Sequence, residues 1–105
     1  MLIQVNTDNH TQGSSQLTQN VQTQIEEKLR RHASRITRVE VQLTDENSAA
    51  KGGGDDQRCL LEVRMSGMKP ISVTNHGSNV SEALGGAITK MQNLIESTLG
   101  KLGRR

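Results

Sequence analysis

Four stretches of the chain alternate apolar and polar residues, which is the pattern of strands that bury one face. They span residues 2–6, 36–44, 58–65 and 69–75. The second stretch is the clearest, because Val39, Val41 and Leu43 fall on one side and polar residues fall on the other. The same alternation places Cys59 on the apolar side of the third stretch. We therefore predict four strands, each with one face turned to a core.

Two further stretches, residues 14–33 and 79–99, have the spacing of amphipathic helices. Apolar residues recur every fourth position in the first of them, at Leu17, Val21, Ile25, Leu29 and Ala33. The second opens with Asn79 and Glu82, a capping-box spacing, and we expect Gly100 and Gly103 to end it. Gly85 and Gly86 each cost about 1 kcal/mol relative to Ala. Either a neighbour packs closely against them or the first turn is loose.

The order of these elements predicts an α+β fold of β-α-β-β-β-α type within a single domain, residues 1–105. One four-stranded mixed sheet with two helices packed on one face, as in double-stranded-RNA-binding domains, buries every apolar stripe. The first two strands are expected to be parallel through a right-handed crossover, and the rest to form an antiparallel meander. Residues 45–57, which contain three consecutive glycines, are predicted to be a flexible loop.

Composition limits how this fold can be stabilised and what it can bind. Only 31% of the 105 residues are hydrophobic, and Phe, Tyr and Trp are absent. The core must be aliphatic and modest, so homodimerisation is a possible source of stability. Without aromatic side chains, RNA-binding modes that stack bases on a sheet are excluded. No apolar run is long enough to span a membrane and no secretory leader is evident, so we expect no membrane partner and a cytoplasmic location.

Catalytic and metal-binding patterns are missing from the sequence. The three histidines are far apart, and no HxxxH or CxxC spacing occurs. Cys59, on the apolar side of a strand, is expected to act as a small hydrophobic residue. Gly52, Gly53 and Gly54 lack the Gly-Lys-Ser/Thr of a phosphate-binding loop. We therefore predict no enzyme activity, no catalytic residue, no metal site and no cofactor.

Positive charge is concentrated although the net charge is only +2. Five cations fall within eleven residues around the end of the first helix, and others follow along the last helix. If the helices lie side by side, these groups share an outer surface suited to the phosphates of folded RNA. The alternative is that they are ordinary solvent-exposed charges on the outside of the helices, with no role in binding. The candidate RNA-binding residues are Lys28, Arg30, Arg31, Arg35, Arg38, Lys90, Lys101, Arg104 and Arg105.

Three segments carry a likeness to a known family. They are KLRRH at 28–32, ITRVEVQL at 36–43, and NVSEALGGAITKM at 79–91. These segments resemble the short ribosome hibernation-promoting factors, the ribosome-associated inhibitor A or protein Y family, and the likeness extends over nearly the whole chain. The first two are similar to the family's basic helix end running into its second strand. In the third, Ala83, Leu84 and Lys90 fit the family's pattern for the last helix.

The resemblance implies a non-catalytic factor that binds rRNA of the small ribosomal subunit near the decoding region and inhibits translation in slow growth or stress. It carries the RNA-contacting role onto Lys28, Arg31 and Lys90. This chain is a divergent member by the same comparison, because Ser81 replaces the family's Tyr and Gly85 replaces its Asp or Asn. Residues 93–99, usually rich in Lys and Arg, contain Glu96 instead.

Two other functions remain open at this stage. The first is a homodimerising protein-interaction module on the same fold that has lost ribosome binding. An exposed strand edge or the notch at Gly85 and Gly86 would be its contact. The second is a double-stranded-RNA-binding domain, but that family needs cations at the start of its last helix. Residues 79–82 provide none.

Overall fold

Strands and helices follow the order that the hydrophobic pattern predicts. The computed structural model describes residues 1–8, 15–45 and 57–103. The strands are β1 Leu2–Thr7, β2 Ile36–Asp45, β3 Gln57–Met65 and β4 Ile71–Gly77. The helices are α1 Ser15–Lys28, a short 3-10 helix Arg30–His32, and α2 Val80–Gly103. Most of the predicted flexible loop, residues 46–56, lies outside the described residues.

The four strands form one sheet in the order β1-β2-β3-β4. β1 runs parallel to β2, with Ile3 opposite Val39, as expected for strands joined through a helix. β2, β3 and β4 pair antiparallel, with Val41 opposite Leu61 and Leu61 opposite Val73. The register shifts between Ile36 and Arg38, where β2 has a bulge. The predicted mixed sheet is therefore confirmed.

Both helices cover the same face of the sheet. The inward residues of β2 and β3 are buried, and so are the apolar stripes of α1 and α2. The core is wholly aliphatic apart from sulfur-containing side chains. Its members are Val21, Ile25, Leu29, Ile36, Val39, Val41, Leu43, Cys59, Leu61, Val63, Met65, Ala83, Leu84, Ala87, Ile88, Met91 and Ile95. The alternation and the helical spacing identified most of these residues. Ile36 is an exception, because the register shift between Ile36 and Arg38 turns it to the same face as Val39. Ala83 was outside the predicted stripe, and Ala33, which the stripe included, is only half-buried.

The first helix ends earlier than its apolar stripe predicts. α1 stops at Lys28, and a 3-10 turn follows, in which Ala33 N–H donates to Arg30 O and Arg35 N–H donates to His32 O. Leu29 is still fully buried although its backbone leaves the α region. Burial therefore continues across the junction while the tighter turn redirects the chain into β2. The prediction of one helix to residue 33 was wrong for this reason.

The start of α2 is capped nearly as predicted. Asn79 Oδ1 accepts a hydrogen bond from Glu82 N–H at 2.9 Å. The Glu82 carboxylate reaches back to Ser78 rather than to Asn79, accepting from its N–H at 3.1 Å and its hydroxyl at 2.9 Å. Hydrogen bonds from the Ser78 backbone N–H and hydroxyl hold the pKa of Glu82 below its usual value. The capping box is therefore displaced by one residue.

The far end of α2 and the start of β4 differ from the prediction. The helix passes through Gly100 to Gly103, because Gly100 keeps a helical backbone. Among the described residues only Gly67 has the left-handed conformation with which a glycine ends an element. β4 begins at Ile71, two residues later than expected, because Pro70 has no N–H for the ladder.

Gly86 lies against the side chain of Asn75 in β4. A Cβ at Gly86 would be 2.1 Å from Asn75 Nδ2, whereas a Cβ at Gly85 would meet nothing within 4 Å. Asn75 Nδ2 also donates to Ala83 O at 3.2 Å. Of the two explanations for the glycine pair, close packing of a neighbour is therefore correct at Gly86. The notch suggested as a dimer contact is filled by Asn75.

Candidate functional site

Four exposed cations surround the junction between α1 and β2, and we call them the helix-end cluster: Lys28, Arg30, Arg31 and Arg35. Lys28 closes α1, Arg30 and Arg31 lie in the 3-10 turn, and Arg35 follows it. Leu29 anchors the segment in the core, so its neighbours in sequence must project outward. In the described part of the chain, the salt bridges include Arg31 but none of the other three.

The helix-end cluster lies beside the C-terminal half of α2. Gln92 Nε2 donates to Lys28 O at 2.9 Å. One helical turn further on, Arg31 Nη1 lies 3.3 Å from Glu96 Oε2. The side chains of Arg31 and Glu96 are 76% and 55% exposed, so this ion pair contributes about 0–1 kcal/mol to stability. Glu96 is thus the carboxylate that lies within the candidate cationic surface.

Lys90 lies on the other flank of α2. Its Nζ donates to Thr74 O in β4 at 2.9 Å. At about 100° per residue, positions 90 and 96 are about 120° apart around the helix. Glu96 therefore faces α1 while Lys90 faces β4, and the exposed uncharged residues Thr89 and Asn93 lie between them. The expected common outer surface is divided into two flanks.

Arg38 is on the opposite side of the sheet from the helices. Val39 is buried under the helices, so Arg38 and Glu40 point to the other face. The Arg38 guanidinium donates to the Gln4 side-chain oxygen and, at 3.3 Å, to Glu40 Oε1. This contact with Arg38 holds the pKa of Glu40 below its usual value. Arg38 therefore cannot share one surface with the helix-end cluster.

The remaining candidates continue along α2 or lie beyond the described residues. Lys101 is exposed more than a helical turn past Glu96. Arg104 and Arg105 are outside the described residues. The structure therefore brings together Lys28, Arg30, Arg31 and Arg35, and it separates Lys90, Lys101 and Arg38 from them.

Sequence reasoning missed how charges are ordered on the uncovered sheet face. Arg38 is directly opposite Arg64, and Glu40 is directly opposite Glu62. A shallow concavity of about 230 Å³ is lined partly by the two glutamates and by Leu60. The alternation in β2 and β3 predicts which side chains lie on this face. It does not predict the register between the two strands, which places like charges opposite each other.

Reactive groups on the described residues offer no catalytic arrangement. Cys59 is buried, and loss of hydration raises the pKa of its thiol to about 12, so the thiol is protonated at neutral pH. Within residues 1–8, 15–45 and 57–103, no three His, Cys, Asp or Glu side chains are placed to hold a metal ion. None of the described helices is long and apolar enough to cross a membrane.

Comparison with known proteins places this geometry in a family. The fold matches the crystal structure of the Thermus thermophilus Protein Y N-terminal domain, with a TM-score of 0.71 and 15% identity over 93% of this chain and 99% of that one. It also matches a ribosomal subunit interface protein from Coxiella burnetii, with a TM-score of 0.65 and 17% identity over the full length of both chains. No curated protein matches the chain. The family model described as Sigma 54 modulation protein / S30EA ribosomal protein matches residues 4–103, and the chain therefore belongs to that family of ribosome-associated factors.

Proposed function

We propose that this protein binds folded rRNA of the small ribosomal subunit through the helix-end cluster and inhibits translation when growth slows. It acts in the cytoplasm by occupying a site near the decoding region, and no chemical step is involved. Family membership supports the ribosomal association. One of its structural neighbours is named a ribosomal subunit interface protein, which agrees with a subunit surface as the target.

The observation that carries the proposal is the density of exposed cations at one end of α1. Lys28, Arg30, Arg31 and Arg35 lie within eight residues, and among the described salt bridges only Arg31 has a carboxylate partner. Such a group suits closely spaced phosphates on the outside of an RNA fold better than base edges, since no aromatic side chain is present to stack on bases.

The expected contribution of the cluster follows from counterion release. Each phosphate contact adds about 0.7–0.9 to the slope of log affinity against log salt concentration. Four contacts then weaken binding roughly a hundredfold between 50 and 200 mM salt. Lys90 and Lys101 add contacts only if the RNA also reaches the β4 flank of α2. The helix-end cluster is therefore expected to dominate the salt dependence.

Co-sedimentation with small ribosomal subunits over a range of salt concentrations tests the proposal. The test variant is Lys28→Gln/Arg30→Gln, which removes two unpaired cations of the cluster. The matched control is Arg38→Gln/Arg64→Gln, which removes the same charge from the opposite side of the sheet. We expect the test variant to lower the salt slope by about 1.5–2 and the control to leave it unchanged.

Inhibition of translation is measured on the same variants in a cell-free system programmed with a reporter mRNA. The test variant should require a higher concentration for half inhibition, in proportion to its loss of subunit affinity. Absence of binding by the parent protein at low salt contradicts the proposed function. Equal losses in the test and control variants contradict the choice of the helix-end cluster.

A further inference from the structure

We propose that the uncovered face of the sheet docks a second copy of this chain, with the two sheets stacked about a twofold axis. Both helices lie on the other face, and no described helix covers this one. The residues on it come from alternate positions of all four strands. The proposal is independent of ribosome binding, because a stacked pair leaves both helix layers pointing outward.

Charges on this face form two rows that run across the strands. Arg38 and Arg64 are directly opposite each other in one row, and Glu40 and Glu62 are directly opposite each other in the next. The two rows are about 7 Å apart, which is the rise of two strand residues. These four residues therefore form one positive and one adjacent negative row and cancel each other. Arg58 is on the same face but outside the two rows, opposite Thr44 in β2 and His76 in β4.

This order is unfavourable for an isolated sheet but favourable for a stacked pair. Like charges directly across two strands are destabilising, whereas opposite charges there would stabilise the sheet. Ion pairs within each strand partly offset this repulsion: Arg38 Nη2 lies 3.3 Å from Glu40 Oε1 in β2, and Arg64 Nε lies 3.6 Å from Glu62 Oε1 in β3. Each of these side chains is at least one-third exposed, so it can still reach an opposite charge on a partner.

A twofold axis perpendicular to the strands, passing between the two rows, makes the face complementary to itself. Rotation about this axis places the arginine row of one copy on the carboxylate row of the other. Arg38 then faces Glu40 of the second copy, Arg64 faces Glu62, and the reciprocal contacts complete four ion pairs. Isologous contacts of this kind close at two copies.

The face also has an apolar margin and a limited area. Leu2, opposite Arg38 in β1, is 60% exposed, and Met1 beside it is 40% exposed. With the axis between the two rows, about seven residues of β2 and of β3 overlap with the second copy, but only about three of β1 and one of β4. At about 4.8 Å between strands and about 3.4 Å per residue, this gives roughly 300 Å² per copy. The total of roughly 600 Å² is well below the 1,200–2,000 Å² of stable complexes, so the dimer is weak and depends on concentration and salt.

Analytical ultracentrifugation of two charge-reversed variants and their mixture tests the proposal. In Arg38→Glu/Arg64→Glu both rows are negative, and in Glu40→Arg/Glu62→Arg both rows are positive. At low salt we expect the parent to dimerise with increasing concentration up to about 1 mM. Each variant alone should show at least a tenfold higher dissociation constant. An equimolar mixture should recover association, because opposite rows then face each other.

A control variant, Glu27→Arg/Glu96→Arg, makes the same change of charge as Glu40→Arg/Glu62→Arg on exposed positions of α1 and α2, in the helix layer, and should associate like the parent. If a charge-reversed variant fails to fold, Arg38→Gln/Arg64→Gln removes the arginine row without adding charge and must also lose association. The proposal is overturned if the parent stays monomeric at 1 mM, if both reversed variants still dimerise, or if their mixture does not recover association.

Discussion

Replacing Glu96 should tighten binding to ribosomal RNA with little effect on stability. Its carboxylate lies 3.3 Å from Arg31, so in the proposed complex it would compete with an rRNA phosphate for the guanidinium. A phosphate bound at Arg31 would lie about 6 Å from this carboxylate. Two unit charges at that distance in water repel by about 0.7 kcal/mol, which corresponds to about threefold in affinity. Glu96→Gln removes this repulsion, and Glu96→Lys reverses it for a gain of about tenfold.

The assay is the dissociation constant for small ribosomal subunits at 50 and 200 mM salt. Glu96→Gln should gain about threefold at the lower salt and less at the higher salt, since screening weakens exposed charges. The matched control is Glu62→Gln, which removes a carboxylate from the face of the sheet opposite the helices. The affinity of this variant should stay within about 1.5-fold of the parent, because the sheet and the core lie between residue 62 and Arg31.

Stability provides the second measurement for Glu96. The midpoint of urea unfolding should move by no more than the equivalent of about 0.5 kcal/mol, as is usual for an exposed ion pair. An unchanged affinity in both Glu96 variants would refute a role for Arg31 in phosphate contact. A gain of the same size in Glu62→Gln would show that overall charge, rather than this position, controls binding.

Three further predictions concern the fold. Gly85→Ala should raise the free energy of unfolding by about 0.5–1 kcal/mol, because the added Cβ contacts nothing within 4 Å. Gly86→Ala should lower the free energy of unfolding by about 1–3 kcal/mol, because the added Cβ collides with the side chain of Asn75. Urea unfolding of the two variants checks both signs. Cys59, with its thiol pKa raised to about 12, should react with a thiol reagent at pH 8 only as fast as the protein unfolds, and immediate reaction would show the core to be open. The pKa of Glu82 is lower in the folded protein than its usual value of 4.5, so the ionised carboxylate stabilises the fold above about pH 4.5. This contribution is lost as the pH falls through the pKa of the folded state. The melting temperatures of the parent and of Glu82→Gln should therefore differ above about pH 4.5 and converge in acid.

The sequence predicted the fold well because each element has one unambiguous apolar side. Alternation in β2 placed Val39, Val41 and Leu43 in the core, and the structure buries all three. Element ends were less predictable. Leu29 is equally buried whether the backbone is an α-helix or a 3-10 turn, so its spacing could not show where α1 ends. Gly100 lowers helix propensity without requiring a left-handed backbone, so it did not stop α2.

The candidate site could be predicted only where it depends on neighbours in sequence. Lys28, Arg30, Arg31 and Arg35 stay together because they surround one junction. Lys90 was placed with them because the spacing of α2 gives angles around the helix but does not say which flank meets α1.

Arg38 is a different case, since the alternation that buries Val39 already turns Arg38 to the opposite face. Arg38 was nevertheless grouped with the other cations because it is close to them in sequence. The alternation therefore predicts the correct face for Arg38, and only its pairing with Arg64 could not be predicted from the sequence.

The distribution of charge matters more for this protein than its net value. The helix-end cluster together with Glu96 carries four positive charges and one negative charge, or +3, although the whole chain carries +2. The charges outside this region therefore sum to −1. On the uncovered sheet face, the two rows formed by Arg38, Arg64, Glu40 and Glu62 cancel, and Arg58 lies outside these rows. A polyanion is consequently expected to be attracted to one end of the helix layer, while the two ordered rows of the sheet face suit the proposed partner with the same pattern of charges.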